Sequence, residues 1–93
     1  MANGKFYHVF ITPKTGVDLE AIKTQMNLAL DWFKYDKNNW VLYSNASMDK
    51  LMTRFKPLVE PEGRLFICEL NTSNRNGWMN KDFWEWLKKN RDK

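Results

Sequence analysis

Two stretches of this chain are apolar on both faces of a strand, and that limits what it can fold into. Lys5 to Thr12 reads KFYHVFIT, with Phe6, His8 and Phe10 on one side and Tyr7, Val9 and Ile11 on the other. Arg64 to Leu70 reads RLFICEL, with Phe66 and Leu70 opposed to Leu65 and Ile67. Side chains alternate between faces along a strand, so each of these strands has two apolar faces to bury. Aromatic and β-branched residues favour the pleated backbone, and Pro13-Lys14-Thr15-Gly16 stops the first run.

Helical patterns separate the strands. Asp18 suits a helix N-cap, because its carboxylate can accept from a free backbone N–H one turn on. Ile22, Met26, Ala29, Leu30 and Phe33 follow at helical spacing. From Asp31 the pattern changes to a hairpin, Trp32 to Asp36 and Trp40 to Ser44, around the turn signal Asp36-Lys37-Asn38-Asn39. The first arm also suits a helix end. Ser47 caps a second helix with the stripe Met48, Leu51, Met52, Phe55, Leu58 and Val59, and Pro57 lies near its end. Pro61-Glu62-Gly63 reads as a turn and Asn71 to Gly77 as a polar loop. Asn80 caps a last helix, with Met79 placed to staple against Trp84. Phe83, Trp84, Trp86 and Leu87 give that helix a wide apolar face.

The order is β-α-β-β-α-β followed by a helix. It predicts an α+β chain, a ferredoxin-like βαββαβ sandwich with an additional C-terminal helix. One domain spans 1–93: a core of about 5–70, a loop and helix over about 71–90, and a basic tail at 88–93. Two helices cover one face of such a sheet. The other face is left to the last helix, to a second copy, or to both, so a homodimer through the sheet face is expected.

At 93 residues there is room for one domain, and about 65% of the unfolded surface is buried on folding. Hydrophobic residues at 43% and charged residues at 28% describe a globular chain rather than a disordered one. No apolar run approaches the roughly 18 residues of a membrane-spanning helix, so no membrane role is expected. The first residues, Met-Ala-Asn-Gly-Lys-Phe, lack the layout of a secretory signal. The single cysteine, Cys68, rules out an internal disulfide and fits a cytoplasmic setting.

The formal net charge is +4, and three of those charges fall in the tail, where Lys88, Lys89, Arg91 and Lys93 face only Asp92. The body is therefore close to neutral. Such a tail supports weak, salt-sensitive phosphate binding or simply suits a helix C-terminus.

Catalytic patterns are missing. His8 stands mid-strand with no acid, thiol or second histidine at ligand spacing, and it reads as a satisfied strand histidine. Cys68, central in an apolar strand, is expected to be buried and inert. Glu60, Glu62, Glu69, Asp82 and Glu85 form no recognisable metal motif. Gly4, Gly16, Gly63 and Gly77 are isolated, so no Gly-rich phosphate loop exists. No catalytic residue, metal site or cofactor is assigned. Five tryptophans are many for this length. Trp78, in the polar loop beside Arg75, reads first as an anchor to the core and second as a ligand contact. Nucleic-acid contact, if present, falls to Lys14, Arg75, Trp78, Lys81, Lys88, Lys89 and Arg91.

KFYHVFIT, DWFKYDKNNWVLYS, FKPL, RLFICEL and GWMNKDFWEWLKK, in that order, resemble the SinR-like proteins, small relatives of the CRISPR-associated protein 2 family. The likeness runs from about Lys5 to Lys89 and is most specific over Gly77 to Leu87. It implies a ferredoxin-like homodimer. Some of the CRISPR-associated relatives are metal-dependent nucleases with an Asp at the end of the first strand. Here that place reads Phe10-Ile11-Thr12-Pro13, with Asp18 the nearest acid. Three functions therefore stand open. They are a non-catalytic interaction or regulatory protein with a protein partner, a nucleic-acid binder, and a divalent-metal nuclease lacking its expected carboxylate.

Overall fold

The structure is a computed structural model describing residues 4–89. Its elements are β1 (Lys5–Thr12), α1 (Leu19–Met26), β2 (Asp31–Asp36), β3 (Asn39–Ser44), α2 (Met48–Phe55), β4 (Arg64–Leu70) and α3 (Lys81–Lys88), with a 3-10 turn at Lys56–Leu58. The strands form one four-stranded sheet in the order β2-β3-β1-β4, and every neighbouring pair is antiparallel. β1 is thus an interior strand, which accounts for its two apolar faces. β4 is an edge strand despite an equally apolar sequence.

All three expected caps form. The side chains of Asp18, Ser47 and Asn80 accept from the backbone N–H groups of Ala21, Lys50 and Phe83 at 3.0, 3.2 and 3.2 Å. Each stabilises its helix start by about 1 kcal/mol. α1 ends sooner than its apolar spacing suggests. The Asn27 N–H reaches the Lys23 carbonyl at 2.9 Å, and the next N–H groups turn back to Gln25 and Met26. Leu30 then donates to the Tyr43 carbonyl at 2.9 Å, drawing the chain into the sheet. In consequence Leu28 and Leu30 are exposed, and Phe33 lies on a strand rather than a helix. On α2, Leu51 and Phe55 are buried, whereas Met48 and Met52 face outward. Pro57 sits in the 3-10 turn, where its missing N–H removes no α-helical bond.

The hairpin closes over Lys37 and Asn38. No described non-glycine residue has a positive φ, so Asn38 does not use the left-handed region its type tolerates. The register instead shifts between Lys34 and Asp36. Gly16, at φ 94°, makes the turn after β1. Gly63 packs so closely on the Thr12 and Val59 carbonyls that a side chain has no room there.

The two helices α1 and α2 seal one face of the sheet. Tyr7, Val9 and Ile11 of β1, Trp40 and Leu42 of β3, Ile22 and Met26 of α1, and Leu51 and Phe55 of α2 form the main core. Leu65 and Ile67 of β4 pack against it. α3 crosses the opposite face, where Trp86 and Leu87 bury Val41 together with Phe6, Phe33, Tyr35 and Leu70. The second face is therefore covered within the chain, but only in part.

Burial sets the expected response to truncation. Phe55→Ala removes a fully buried ring and is expected to lower the unfolding free energy by about 3–5 kcal/mol. Phe66→Ala, at a side chain 59% exposed, is expected to change it by less than about 0.5 kcal/mol in the monomer. Urea denaturation of dilute samples reads both. A large loss at Phe66 would mean that this ring is covered within the chain.

Candidate functional site

The second sheet face is built from three cross-strand rows. Asp31, Tyr43, Phe6 and Leu70 form the first, and Phe33, Val41, His8 and Cys68 the second. Asn39, Phe10 and Phe66 form the third. α3 lies over the β2 and β3 side. Its Trp86 ring centroid stands 6.0 Å from Phe6 and 5.7 Å from Phe33. Phe83 reaches Phe33 at 5.7 Å and Tyr35 at 5.8 Å. Edge-to-face and tilted ring pairs at such distances add to simple burial.

Asp31 fastens this helix to the sheet. Its carboxylate accepts from the Lys89 Nζ at 3.2 Å, from the Trp86 side chain and from the Trp32 backbone N–H at 2.9 Å. Burial alone raises the carboxyl pKa. Those three hydrogen bonds and the Lys89 charge lower it, and the lowering prevails.

Cover reaches only the Leu70 end of β4. Phe66 is 59% exposed, Cys68 is exposed and Phe10 is only half-buried. Cys68 is not the buried thiol that its apolar neighbours suggested. β4 is at the edge, and Cys68 lies on a part of the second face that the eight residues of α3 leave open. The result is an apolar strip along β1 and β4, bordered on one side by an unpaired strand edge. Long apolar edges of this kind are open to pairing with another chain.

His8 marks the boundary of the strip. Its Nε2 lies 2.7 Å from the Tyr35 hydroxyl. Burial lowers the His8 pKa, while burial and then the Asp36 charge raise that of Tyr35. Both groups are therefore uncharged at neutral pH, and one neutral hydrogen bond joins them. Among the described residues, no three of His, Cys, Asp and Glu converge as metal ligands. No helix among them is long and apolar enough to cross a membrane.

The residues named for nucleic-acid contact do not share one surface. Thr12 pairs with Arg64 and Phe6 with Leu70, so Lys14 and the 71–77 loop lie beyond opposite ends of the sheet. Six residues of strand separate them, about 20 Å. Lys14 stands near Glu62, whose carboxyl pKa is lowered chiefly by hydrogen bonds from the Thr15 side chain and backbone. Arg75 donates to the Thr72 carbonyl at 3.0 Å, Lys81 pairs with Glu85 at 3.6 Å, and Lys89 pairs with Asp31. Lys88 is exposed at the far end of α3, and Arg91 lies outside the described residues. Trp78 is fully exposed, so it does not anchor its loop to the core. The loop folds over α3 on its own, leaving a cavity of about 230 Å³ between Asn71, Asn74 and Arg75 above and Phe83 and Trp84 below.

Comparison with family models, with curated proteins and with solved structures finds no match.

The titrations set the pH response. His8 is lowered in the folded state, so the unfolded chain binds more protons as pH falls below about 6.5. Stability is expected to be full above that value and to decline below it. His8→Asn should flatten this slope. Asp31 and Glu62 act in a separate window, losing their contribution as pH falls through the folded carboxyl values, below about 4. Urea midpoints at intervals across this range check both windows. A wild-type slope unchanged in His8→Asn would assign the upper window to another group.

Proposed function

We propose that this chain is a small non-catalytic interaction protein that self-associates through the strip left open on β1 and β4. The carrying observation is Phe66, 59% exposed beside Phe10 and Cys68 on an edge strand whose outward backbone groups have no strand partner among the described residues. The occupant proposed is a second copy of the chain. A two-fold axis in front of the sheet packs the two open strips face to face. Phe10, Phe66 and Cys68 of one copy then meet the same residues of the other, and each strip covers its counterpart. Isologous contacts of this kind are the commonest route to a dimer.

The element order and the strand order β2-β3-β1-β4 support the finer reading of a ferredoxin-like sandwich with an added C-terminal helix. The likeness of Gly77 to Leu87 to SinR-like proteins belongs to the same proposal, as does a reducing, cytoplasmic setting for the free thiol of Cys68. Thr12 at the end of β1, where nuclease relatives carry an acid, favours a non-catalytic role. Nucleic-acid binding is a second reading, favoured by the full exposure of Trp78 near Arg75. It ranks behind because Lys81 and Lys89 already have acidic partners. Its signature is affinity that falls steeply between about 50 and 200 mM salt.

Light scattering after size exclusion tests the main reading. At micromolar concentration the expected mass is twice the 11.2 kDa of one chain. Phe66→Glu, which places a charge in the strip, is expected to give the monomer with an unchanged circular dichroism spectrum. A wild-type monomer, or a Phe66→Glu dimer, would contradict the strip as the interface.

A further inference from the structure

A second feature lies on the other side of the sheet, where β3 runs into α2. An open cavity of about 450 Å³ is lined there by Asn45, Ala46, Ser47, Lys50 and Arg54. Lys50 and Arg54 are one helical turn apart and lie on the same side of α2. Like charges in that relation repel each other, so the pair needs a counter-charge. Among the described residues neither side chain has an acidic partner, whereas Lys5, Lys23, Lys56, Lys81 and Lys89 each have one. Asp49 is adjacent to Lys50 in sequence and so points about 100° around the helix from it.

Arg54 makes the imbalance sharper. Its Nη1 is closed off from solvent and, among the described residues, has no hydrogen-bond acceptor. That nitrogen is out of a ligand's reach, but Arg54 also lines the cavity, and an anion held there offsets the uncompensated charge of the guanidinium as a whole. The neutral groups are suited to the same task. The Ser47 hydroxyl accepts from the Lys50 backbone N–H at 3.2 Å and keeps its own proton to donate. Asn45 adds a carboxamide N–H.

We propose that this cavity binds the phosphate group of a small phosphomonoester between Lys50 and Arg54. Two cations match the two negative charges of a monoester, and the flat guanidinium fork matches the spacing of its oxygens. The cavity is open and larger than a phosphate ion, so it has room for the body that carries the phosphate. This site is independent of self-association, because it lies on the α2 side of the sheet and the open strip lies on the opposite face.

Isothermal titration with three probes tests the proposal at fixed ionic strength. They are inorganic phosphate, a nucleoside 5′-monophosphate and the matching nucleoside. The monophosphate is expected to bind, the nucleoside not to bind, and inorganic phosphate to bind at least about tenfold more weakly than the monophosphate. If inorganic phosphate binds as well as the monophosphate, the site takes free phosphate, and the proposed monoester is wrong. Lys50→Gln alters an exposed side chain and is expected to fold normally while losing about tenfold or more in affinity. Arg54→Gln should lose at least as much, and Lys14→Gln should lose nothing. Affinity should also drop as the monoester gains its second proton, near pH 6. Equal heats for the monophosphate and the nucleoside, or full affinity in Lys50→Gln, would overturn the proposal.

Discussion

Everything on the second face of the sheet depends on how α3 is fastened to it. Two helices already seal the first face with Leu51, Phe55, Ile22 and Met26, but β1 and β3 still present Phe6, Tyr43 and Val41 on the other side. An eight-residue helix is too short to hold itself together in water. It persists because Trp86 and Phe83 pack on Phe6, Phe33 and Tyr35, and because Asp31 receives the Trp86 side chain and Lys89. That carboxylate joins the start of β2 to the end of α3. The aromatic packing supplies most of the stabilisation, and Asp31 selects where along the sheet the helix lies.

The functional consequence is geometric. A helix of eight residues spans about 12 Å, which covers β2, β3, the Phe6 end of β1 and the Leu70 end of β4 and leaves the rest of β1 and β4 open. Phe10, Phe66 and Cys68 are what it leaves. His8 and Tyr35, both neutral and hydrogen-bonded to each other, close the covered zone with a polar seam. The open strip and the Lys50–Arg54 cavity then occupy opposite faces, so a second copy on one leaves the other accessible.

Much of this was legible in the residues. Asp18, Ser47 and Asn80 announce the helix starts by their short oxygen-bearing side chains, and each makes the bond its type predicts. Arg64 to Leu70 is a strand at both of its expected ends. The two-faced strands correctly signalled a second face needing cover, and the aromatic row of α3 signalled part of the answer. Local pattern does not carry strand order, however. Cys68 and Val9 have similar apolar neighbours, yet Val9 is interior and Cys68 is on an edge beyond the reach of α3. Ala29 and Leu30 keep helical spacing after the helix has ended at Asn27, because hydrogen bonding into the sheet outweighs local preference. Trp78 is exposed although its size favours burial, and its loop closes over Phe83 and Trp84 without it. The one signal for the anion cavity was a pair of cations at Lys50 and Arg54 without an acid one turn away, and it is visible only once α2 is known to place them over open space.

Cys68 lies on the open strip, next along its face to Phe66, and is the chain's single thiol. Its modification rate by a neutral thiol reagent, followed across a dilution series, tests the central claim most directly. The account predicts rapid reaction in dilute samples, near that of an exposed thiol, and progressive protection as concentration rises and a second copy covers the strip. Slow reaction at every dilution would mean the chain covers its own strip, and fast reaction at every concentration would mean that no second copy occupies it.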